Sequence, residues 1–319
     1  MRVFITDTTL REGVQSKELE LSYEEKRCLF YLIASAGVEE IEVGIPAHSE
    51  EERAFIKELV KGRFGDRVIA WNRANPKDLE LSIHCGVKRV EIAFPISDIM
   101  LREKLKKDRH YILELAKDLI PYCKSIGLYT SVGLEDASRA EEVFVYDFVL
   151  HVKSLGADRV RLSDTVGVLN PIQTQRLVKN ISSMIDVEVH LHNDFGMATA
   201  NAVVASLGGA RFINTSLLGL GERCGITPTE EVVFYLDIIQ GIETGVDLKK
   251  IYQAIEYLIE TKGLRVHPNK PIVGRNAFVN KSSIHIDGLL KSKRTYLPFN
   301  PEIIGRKMSF AFGKYSKKS

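Results

Sequence analysis

Short runs of apolar and β-branched residues recur from the start of the chain to Leu218, and most close on or lead into polar side chains. They are Val3–Thr8, Glu40–Ile45, Val68–Arg73, Val90–Pro95, Tyr129–Glu135, Val160–Thr165, Glu188–Asn193 and Phe212–Leu218. Runs of this length and composition predict β-strands. Between them the apolar positions take a helical period, which predicts helices over stretches such as Tyr23–Ala36, Glu50–Val60, His110–Ser125, Ala140–Leu155, Pro171–Met184, Met197–Leu207 and Thr229–Gln240. Several of these stretches end in glycine (Gly37, Gly127, Gly156, Gly209), the residue that best accepts the left-handed closing conformation. Eight strands alternating with helices at a spacing near ~30 residues predict an α/β fold, a (β/α)8 TIM barrel. A doubly wound open sheet is the alternative, but no G-x-G-x-x-G follows the first strand.

The strands end in TDT, EVG, NRA, FPISD, LED, SDT, HND and TSLLG. Barrel enzymes build their sites at the C-terminal ends of the strands, so these polar endings should converge on one mouth. From about Thr261 the period stops, and isolated motifs follow (KPIVGRNAF, SSIHIDGLL, RTYLPFNP). Residues 1–261 are therefore expected to form a catalytic barrel. Residues 262–319 would be a linker and partial subdomain, a C-terminal arm too short to bury a core of its own.

Composition narrows the classes. With 319 residues, 45% hydrophobic and 27% charged, the chain is expected to be globular rather than disordered. No apolar run reaches the ~18 residues of a membrane span, and MRVFITDTTLREG does not read as a signal peptide. Cys28, Cys85, Cys123 and Cys224 lie far apart without a C-x-x-C, which fits a reduced, cytoplasmic protein. The net charge of +2 hides an asymmetry. Residues 262–319 hold 13 basic and 2 acidic residues, a balance of +11, whereas the rest holds 31 basic and 40 acidic, a balance of −9. A basic arm suits either nucleic acid or an acidic partner surface.

The candidate chemistry sits at the strand ends. In His190-Leu191-His192, alternation turns both imidazoles to one face, making either half a metal site or a pair of hydrogen-bonded core residues. The first strand ends in Asp7-Thr8-Thr9-Leu10-Arg11-Glu12-Gly13, two acids and a guanidinium close to those histidines in a closed barrel. One carboxylate and two imidazoles with open positions suit Mg2+, Mn2+ or Zn2+. Arg11 would stabilise an oxyanion there, its alternative being a salt bridge with Glu12 at the first helix. Glu42 can hold a neighbouring group in place, Glu135 can act as a general base, and Thr165 can hydrogen-bond a carboxylate. The loop Gly219–Gly225 contains Glu222 and Arg223 and is as glycine-rich as a phosphate cradle, but it lacks G-K-[ST]. Cys224 reads as a bystander, and His48, His84, His110, His151 and His267 as ordinary surface or core histidines.

DTTLREGVQ, EVGIP, EDASRA, SDTVGV, HLHNDFGMA, NTSLLGLGER and SIHIDGLL together resemble the isopropylmalate synthase and homocitrate synthase family, metal-dependent barrels named for D-R-E residues on the first strand. The resemblance runs from Phe4 to Gly313. GIPAHSEEER, VIAWNRA, VEIAFPISDIMLREKL and LEDASRAEEVF look most like the nitrogen-fixation type of homocitrate synthase. The resemblance implies a biosynthetic Claisen condensation: the enolate of acetyl-CoA attacks the ketone of 2-oxoglutarate, and hydrolysis yields homocitrate and CoA. By position it implies that Glu12, His190 and His192 hold the divalent metal and that Arg11 stabilises the ketone oxygen. Glu135 matches a catalytic glutamate, while Thr165, together with Glu42, falls to the substrate. His285 and Tyr296 match residues that enter the neighbouring subunit's barrel, so a homodimer is implied.

Several positions depart from the family. Gly225-Ile226 stands where relatives often have Gly-Asn, so a water would replace that asparagine near the metal. Ser131 stands where lysine-pathway homocitrate synthases carry an arginine for the distal carboxylate, which leaves Arg73 as the candidate reader. The segment Asn280–His285 keeps only the last histidine of the family's H-E-x-G-I-H. Closing on FGKYSKKS, the chain is expected to lack a leucine-sensing domain and hence feedback by leucine. Alternatives that keep the chemistry take 2-oxoisovalerate or pyruvate as acceptor, giving isopropylmalate or citramalate. A hydroxymethylglutaryl-CoA-lyase-like C–C lyase is a weaker reading, because those lyases use a G-G-C loop where this chain has GERCG. Nucleic-acid binding is disfavoured because Ile284, Ile286, Leu289 and Leu290 interleave the basic residues; the arm reads instead as a subunit clasp that can also meet the phosphates of CoA.

Overall fold

The apolar runs become eight parallel strands that close on themselves, as the alternation predicts. In this computed structural model, which describes residues 2–313, they are β1 (Phe4–Asp7), β2 (Glu40–Glu42), β3 (Val68–Arg73), β4 (Arg89–Pro95), β5 (Tyr129–Glu135), β6 (Arg159–Asp164), β7 (Asp186–Leu191) and β8 (Phe212–Thr215). Closure comes from β1 pairing with β8, Phe4 opposite Phe212 and Asp7 opposite Thr215. Residues 314–319 of the expected arm lie outside the described residues.

The outer ring is α1 (Tyr23–Ser35), α2 (Glu50–Lys61), α3 (Pro76–His84), α4 (Arg109–Ser125), α5 (Glu142–Ser154), α6 (Pro171–Ser182), α7 (Ala198–Leu207), α8 (Thr229–Phe234) and α9 (Leu248–Lys262). Local chemistry sets their ends. Ser22 and Glu25 form a reciprocal capping box at α1, and Asn170 and Gln173 another at α6. After α1 the chain closes through Gly37 at φ +94°, where a Cβ would lie 2.4 Å from the Gly245 carbonyl oxygen, so only glycine fits.

Several expected elements end early, among them β2 at Glu42 rather than Ile45 and β7 at Leu191 rather than Asn193. β8 stops at Thr215 because Ser216 turns away to hydrogen-bond the Thr227 carbonyl and Leu217 N–H donates to the Thr9 hydroxyl. Leu218 then adopts φ +62°. The helix expected through Gln240 is α-helical only to Phe234. It continues to Gln240 as a wider π-helical turn that closes at Gly241.

Past α9 the chain takes short elements: β9 (Val279–Asn280) pairs with β10 (Ser309–Phe310), and α10 spans Ser283–Lys291. Phe299 ties this arm to the barrel by packing between Phe278 and Phe234, with ring centroids 5.3 and 5.5 Å away. Lys270 adds ion pairs to Glu231 at 3.0 Å and Glu230 at 3.4 Å.

The apolar core lies between strands and helices, where Ile41, Ile92, Val160 and Val189 are fully buried. The barrel interior is charged instead. Arg159 of β6 spans it to Glu40 of β2 (2.6 Å) and Glu188 of β7 (2.7 Å). One layer up, Arg161 meets Glu42 at 2.8 Å and Glu188 at 2.9 Å. Phe212 lies 4.4 Å from the Arg159 guanidinium carbon and stacks on Phe4. Phe212 and Tyr129 thus pack against the lower arginine at the N-terminal end of the strands.

Asp7 is buried at the upper end of β1, accepting from Thr9 N–H (2.9 Å), the Thr9 hydroxyl (3.1 Å) and the Thr229 hydroxyl (3.4 Å). Burial outweighs those bonds and pushes its pKa up to about 7. The unfolded chain releases this proton near pH ~4 and the folded chain holds it, so Asp7 withdraws stability as pH rises between those values, by at most about 1.4 kcal/mol per pH unit. Asp7→Asn removes the effect. Its thermal midpoint relative to wild type should climb from about pH 4.5 to about pH 7.5, and a pH-independent difference would contradict the burial argument.

Candidate active site

Above Asp7 the chain folds back on one carbonyl: Arg11, Glu12 and Gly13 N–H all approach Thr8 O at 2.8–3.1 Å. This turn carries Arg11 and Glu12 over the barrel mouth. Glu12 accepts from Glu222 N–H at 3.2 Å, and Gly221 packs so closely that a Cβ there would lie 3.2 Å from Glu12 Cγ. Gly221 thus serves close packing over Glu12, while Gly219 and Gly225 let the loop fold tightly on itself and on Ile226. Arg223 holds the loop through Asp194 (2.7 Å) and the Thr165 carbonyl (2.8 Å).

His190 and His192 rise from the end of β7 with their Nε2 atoms 3.4 Å apart, and His192 Nε2 lies 4.0 Å from Glu12 Oε1. One donor atom from each of the three residues falls within 4.8 Å of the others. Asn214 of β8 fixes the first imidazole. Its Nδ2 donates to Glu188 at 3.1 Å, so its Oδ1 accepts, at 2.7 Å, from His190 Nδ1–H. That assignment leaves the His190 Nε2 lone pair facing His192 and Glu12.

Burial, then the neighbouring His192, push His190 down to about 3, and burial also lowers His192. Both rings are therefore neutral at physiological pH. Burial resists ionisation of Glu12, but Arg11 and the two histidines outweigh it and hold the carboxyl below its usual value. One carboxylate beside two neutral imidazole lone pairs is a donor set that fits a divalent cation.

Arg11 is clamped between Glu12 and Glu42, with Glu42 Oε1 2.5 Å from its Nε. Burial resists charge on Glu42 too, yet Arg11, Arg161 and the Thr8 hydroxyl hold its carboxyl far below the usual range. Glu42 stays ionised beneath the mouth and fixes the guanidinium. These groups open on a chamber of about 140 Å³ lined by Arg11, Glu12, Trp71, Glu91, Ala93, Glu135, Arg161, Ser163, Thr165, His190 and His192. Arg11 also borders a separate cleft of about 420 Å³, together with Gln15, Lys26 and His48.

Of the residues expected from sequence, the structure brings together Arg11, Glu12, Glu135, Thr165, His190 and His192. Glu135 is paired with Lys104 at 2.7 Å. The Thr165 hydroxyl accepts from Asp136 N–H at 2.9 Å and keeps its own proton to donate. Glu42 lies below the chamber rather than on its wall. Arg73 does not line it either: its side chain is 66% exposed and makes a two-pronged pair with Asp78 in the first turn of α3. His285 and Tyr296 stack at 4.1 Å on the exposed face of the arm, away from this chamber. Glu91, Arg161, Glu188 and Asn214 were not anticipated. A signal for two of them, Arg161 and Glu188, exists: charged residues stand two apart around an apolar one in Arg159-Val160-Arg161 and Glu188-Val189-His190, as they do in Glu40-Ile41-Glu42.

The sequence matches the HMGL-like family over residues 2–258, and the family described as homocitrate synthase post-HMGL domain-like over residues 272–318. Homocitrate synthase 1 of Nostoc sp. is 42% identical over 99% of this chain and 84% of its own length. The 2-isopropylmalate synthase 2 of Caldanaerobacter subterraneus is 39% identical over 98% of this chain and 82% of its own. The (R)-citramalate synthase CimA of Methanocaldococcus jannaschii is also 39% identical, and this chain spans 65% of its length. Among solved structures, an HMG-CoA lyase from Bacillus subtilis superposes with a TM-score of 0.74 at 22% identity, covering 86% of this chain and 97% of that one. This last likeness concerns the fold. No helix among the described residues is long and apolar enough to cross a membrane.

The Glu188–Asn214–His190 chain makes a direct demand on the metal site. Asn214→Ala frees the imidazole to rotate and should weaken divalent-cation binding about 10–100-fold, read by competition with a chromogenic chelator. Unchanged affinity would mean that packing alone orients His190.

Proposed function

This chain belongs to the HMGL-like family, and from that membership we propose that it condenses acetyl-CoA with 2-oxoglutarate to give homocitrate and CoA, as a nitrogen-fixation-type homocitrate synthase. The observation that carries the reading is the convergence of one carboxylate, two neutral imidazoles and a buried guanidinium on the wall of a chamber of about 140 Å³. That volume is well below the ~300–1,000 Å³ of sites for larger ligands, and it suits a small acid.

A divalent cation (Mg2+, Mn2+ or Zn2+) held by Glu12, His190 and His192 would supply Lewis acidity to the 2-oxo carbonyl. Arg11, fixed from below by Glu42, presents its charge to the ketone oxygen as that oxygen becomes an alkoxide. The Thr165 hydroxyl donates to the carboxylate next to the ketone. Glu135, with Lys104 beside it, is placed for proton transfer at the chamber wall. Acetyl-CoA would approach from the cleft beyond Arg11, where Lys26 and His48 add positive or polar groups.

His285 and Tyr296 enter this reading from a second copy of the chain. Both are exposed on the arm, next to Ile284 at 71% and Leu290 at 72% exposure, an apolar face suited to a partner barrel. The basic arm and acidic barrel favour the same contact.

Incubating the metal-loaded protein with acetyl-CoA and a panel of 2-oxo acids, with released thiol titrated, should give the highest kcat/KM for 2-oxoglutarate. Faster turnover of 2-oxoisovalerate or pyruvate would reassign the protein to isopropylmalate or citramalate synthesis. Thiol release with none of them would end the condensation reading. A mixing experiment tests the shared site: inactive Glu12→Gln and His285→Ala proteins, unfolded and refolded together, should regain about one quarter of wild-type activity through one restored site per mixed dimer. No recovery would show that each barrel works without its neighbour's arm.

A further inference from the structure

The chamber has two ends. The metal-ligating triad, Arg11 and Thr165 occupy the mouth, and the reading above uses all of them. The floor is formed by Arg161 and Glu91, which that reading leaves without a task. We propose that these two residues read the far carboxylate of the acceptor, making the chamber selective for a dicarboxylic 2-oxo acid. The inference rests on the condensation reading and extends it.

Arg161 is 2% exposed and sits among carboxylates: Nη1 meets Glu42 at 2.8 Å, and Nε lies 2.9 Å from Glu188 and 3.6 Å from Glu91. Its Nη2 nevertheless finds no hydrogen-bond acceptor, although Arg161 borders the chamber. Both Nη atoms of Arg159, one layer below, likewise make no hydrogen bond of normal geometry, but of the two arginines only Arg161 lines the chamber, where a ligand can offset the cost of about 1–3 kcal/mol for an unpaired buried donor. An acceptor's second carboxylate supplies the missing partner.

Glu91 lies beside it. Across the β4–β5 register it faces Ser131, and neither of its oxygens makes a hydrogen bond of normal geometry. Gly133 leaves the space it occupies, since a Cβ there would lie 2.3 Å from Glu91 Oε1. Burial pushes this carboxyl up to about 7, Arg161 and the nearby Ser131 hydroxyl opposing the shift and Glu188 and Glu42 reinforcing it. Around neutrality Glu91 can therefore hold a proton and donate it to an incoming carboxylate rather than repel it. Arg161 thus brings from β6 the guanidinium that Ser131 of β5 does not provide. An acceptor with an alkyl tail would leave Nη2 unpaired and press apolar surface onto a carboxyl group, which disfavours it.

The test uses the metal-loaded full chain and two acceptors of equal length, 2-oxoglutarate and 2-oxohexanoate, the second ending in a methyl group. Binding of each is measured by calorimetry, separately from thiol release. Wild type should bind and turn over 2-oxoglutarate at least about 100-fold better. Arg161→Met also removes a rung of the ladder and so weakens both acids, but it should weaken 2-oxoglutarate more, cutting the preference at least about tenfold; circular dichroism checks that the variant folds. Glu91→Gln, near-isosteric and unable to ionise, is the second arm. Wild-type affinity for 2-oxoglutarate should fall from about pH 6.5 to about pH 8.5, and in Glu91→Gln that fall should disappear. The proposal is overturned if wild type binds both acids alike, if Arg161→Met weakens both equally, or if Glu91→Gln keeps the full pH dependence. Selective binding without thiol release from any 2-oxo acid would instead overturn the condensation reading and leave the floor assignment standing.

Discussion

A ladder of buried ion pairs runs the length of the barrel, and the geometry of the mouth depends on it. Barrels of this type usually fill their interior with layers of branched aliphatic side chains. Here Glu40, Arg159, Glu188, Arg161, Glu42, Arg11 and Glu12 follow one another from floor to mouth, each arginine bridging carboxylates on either side. Such pairs add little net stability over apolar packing, but removing one partner typically costs about 3–5 kcal/mol because the other is left buried and uncompensated. What the ladder provides is position. Arg11 and Glu12 stand where they do because charges below them are balanced, and Glu188 also holds Asn214 and through it His190.

The fold was legible because it follows from repetition. Strand and helix periods, glycines at helix ends and polar strand endings all point to one barrel with one working face. The chamber was partly legible for the same reason. His190 and His192 announce themselves by their spacing of two, Arg11 and Glu12 by their place after the first strand, and Glu135 and Thr165 by theirs after the fifth and sixth. Glu91 was not legible, because a lone charged residue inside a strand reads as solvent-facing until closure makes that face an interior, and Arg161 left only the faint mark of its spacing of two from Arg159. Arg73 misleads for a local reason: Asp78, five residues on in the first turn of α3, already satisfies its guanidinium. The early end of β8 was hidden too, since it depends on the Thr9 hydroxyl, far away in sequence.

Around the mouth, strain and glycine serve the same end. Leu218 and Arg223 both take positive φ, and Gly225 brings its backbone so near Gly219 that a Cβ would lie 1.9 Å from the Gly219 carbonyl oxygen. These costs keep the loop folded onto Glu12 instead of lifting away from it. The arm is pinned independently, by Phe299 and Lys270 on α8, leaving His285 and Tyr296 on a surface that does not share the loop's constraints.

The ladder also shapes how this protein can change over generations. A lone substitution at Glu40, Glu42, Arg159, Arg161 or Glu188 strands a partner, whereas an apolar core tolerates gradual drift in volume. Interior positions are therefore expected to be exchanged in matched groups, with long intervals of stasis between. New acceptor preferences would arise more readily at Trp71, Ala93 or Ser163, chamber positions that carry no rung of the ladder.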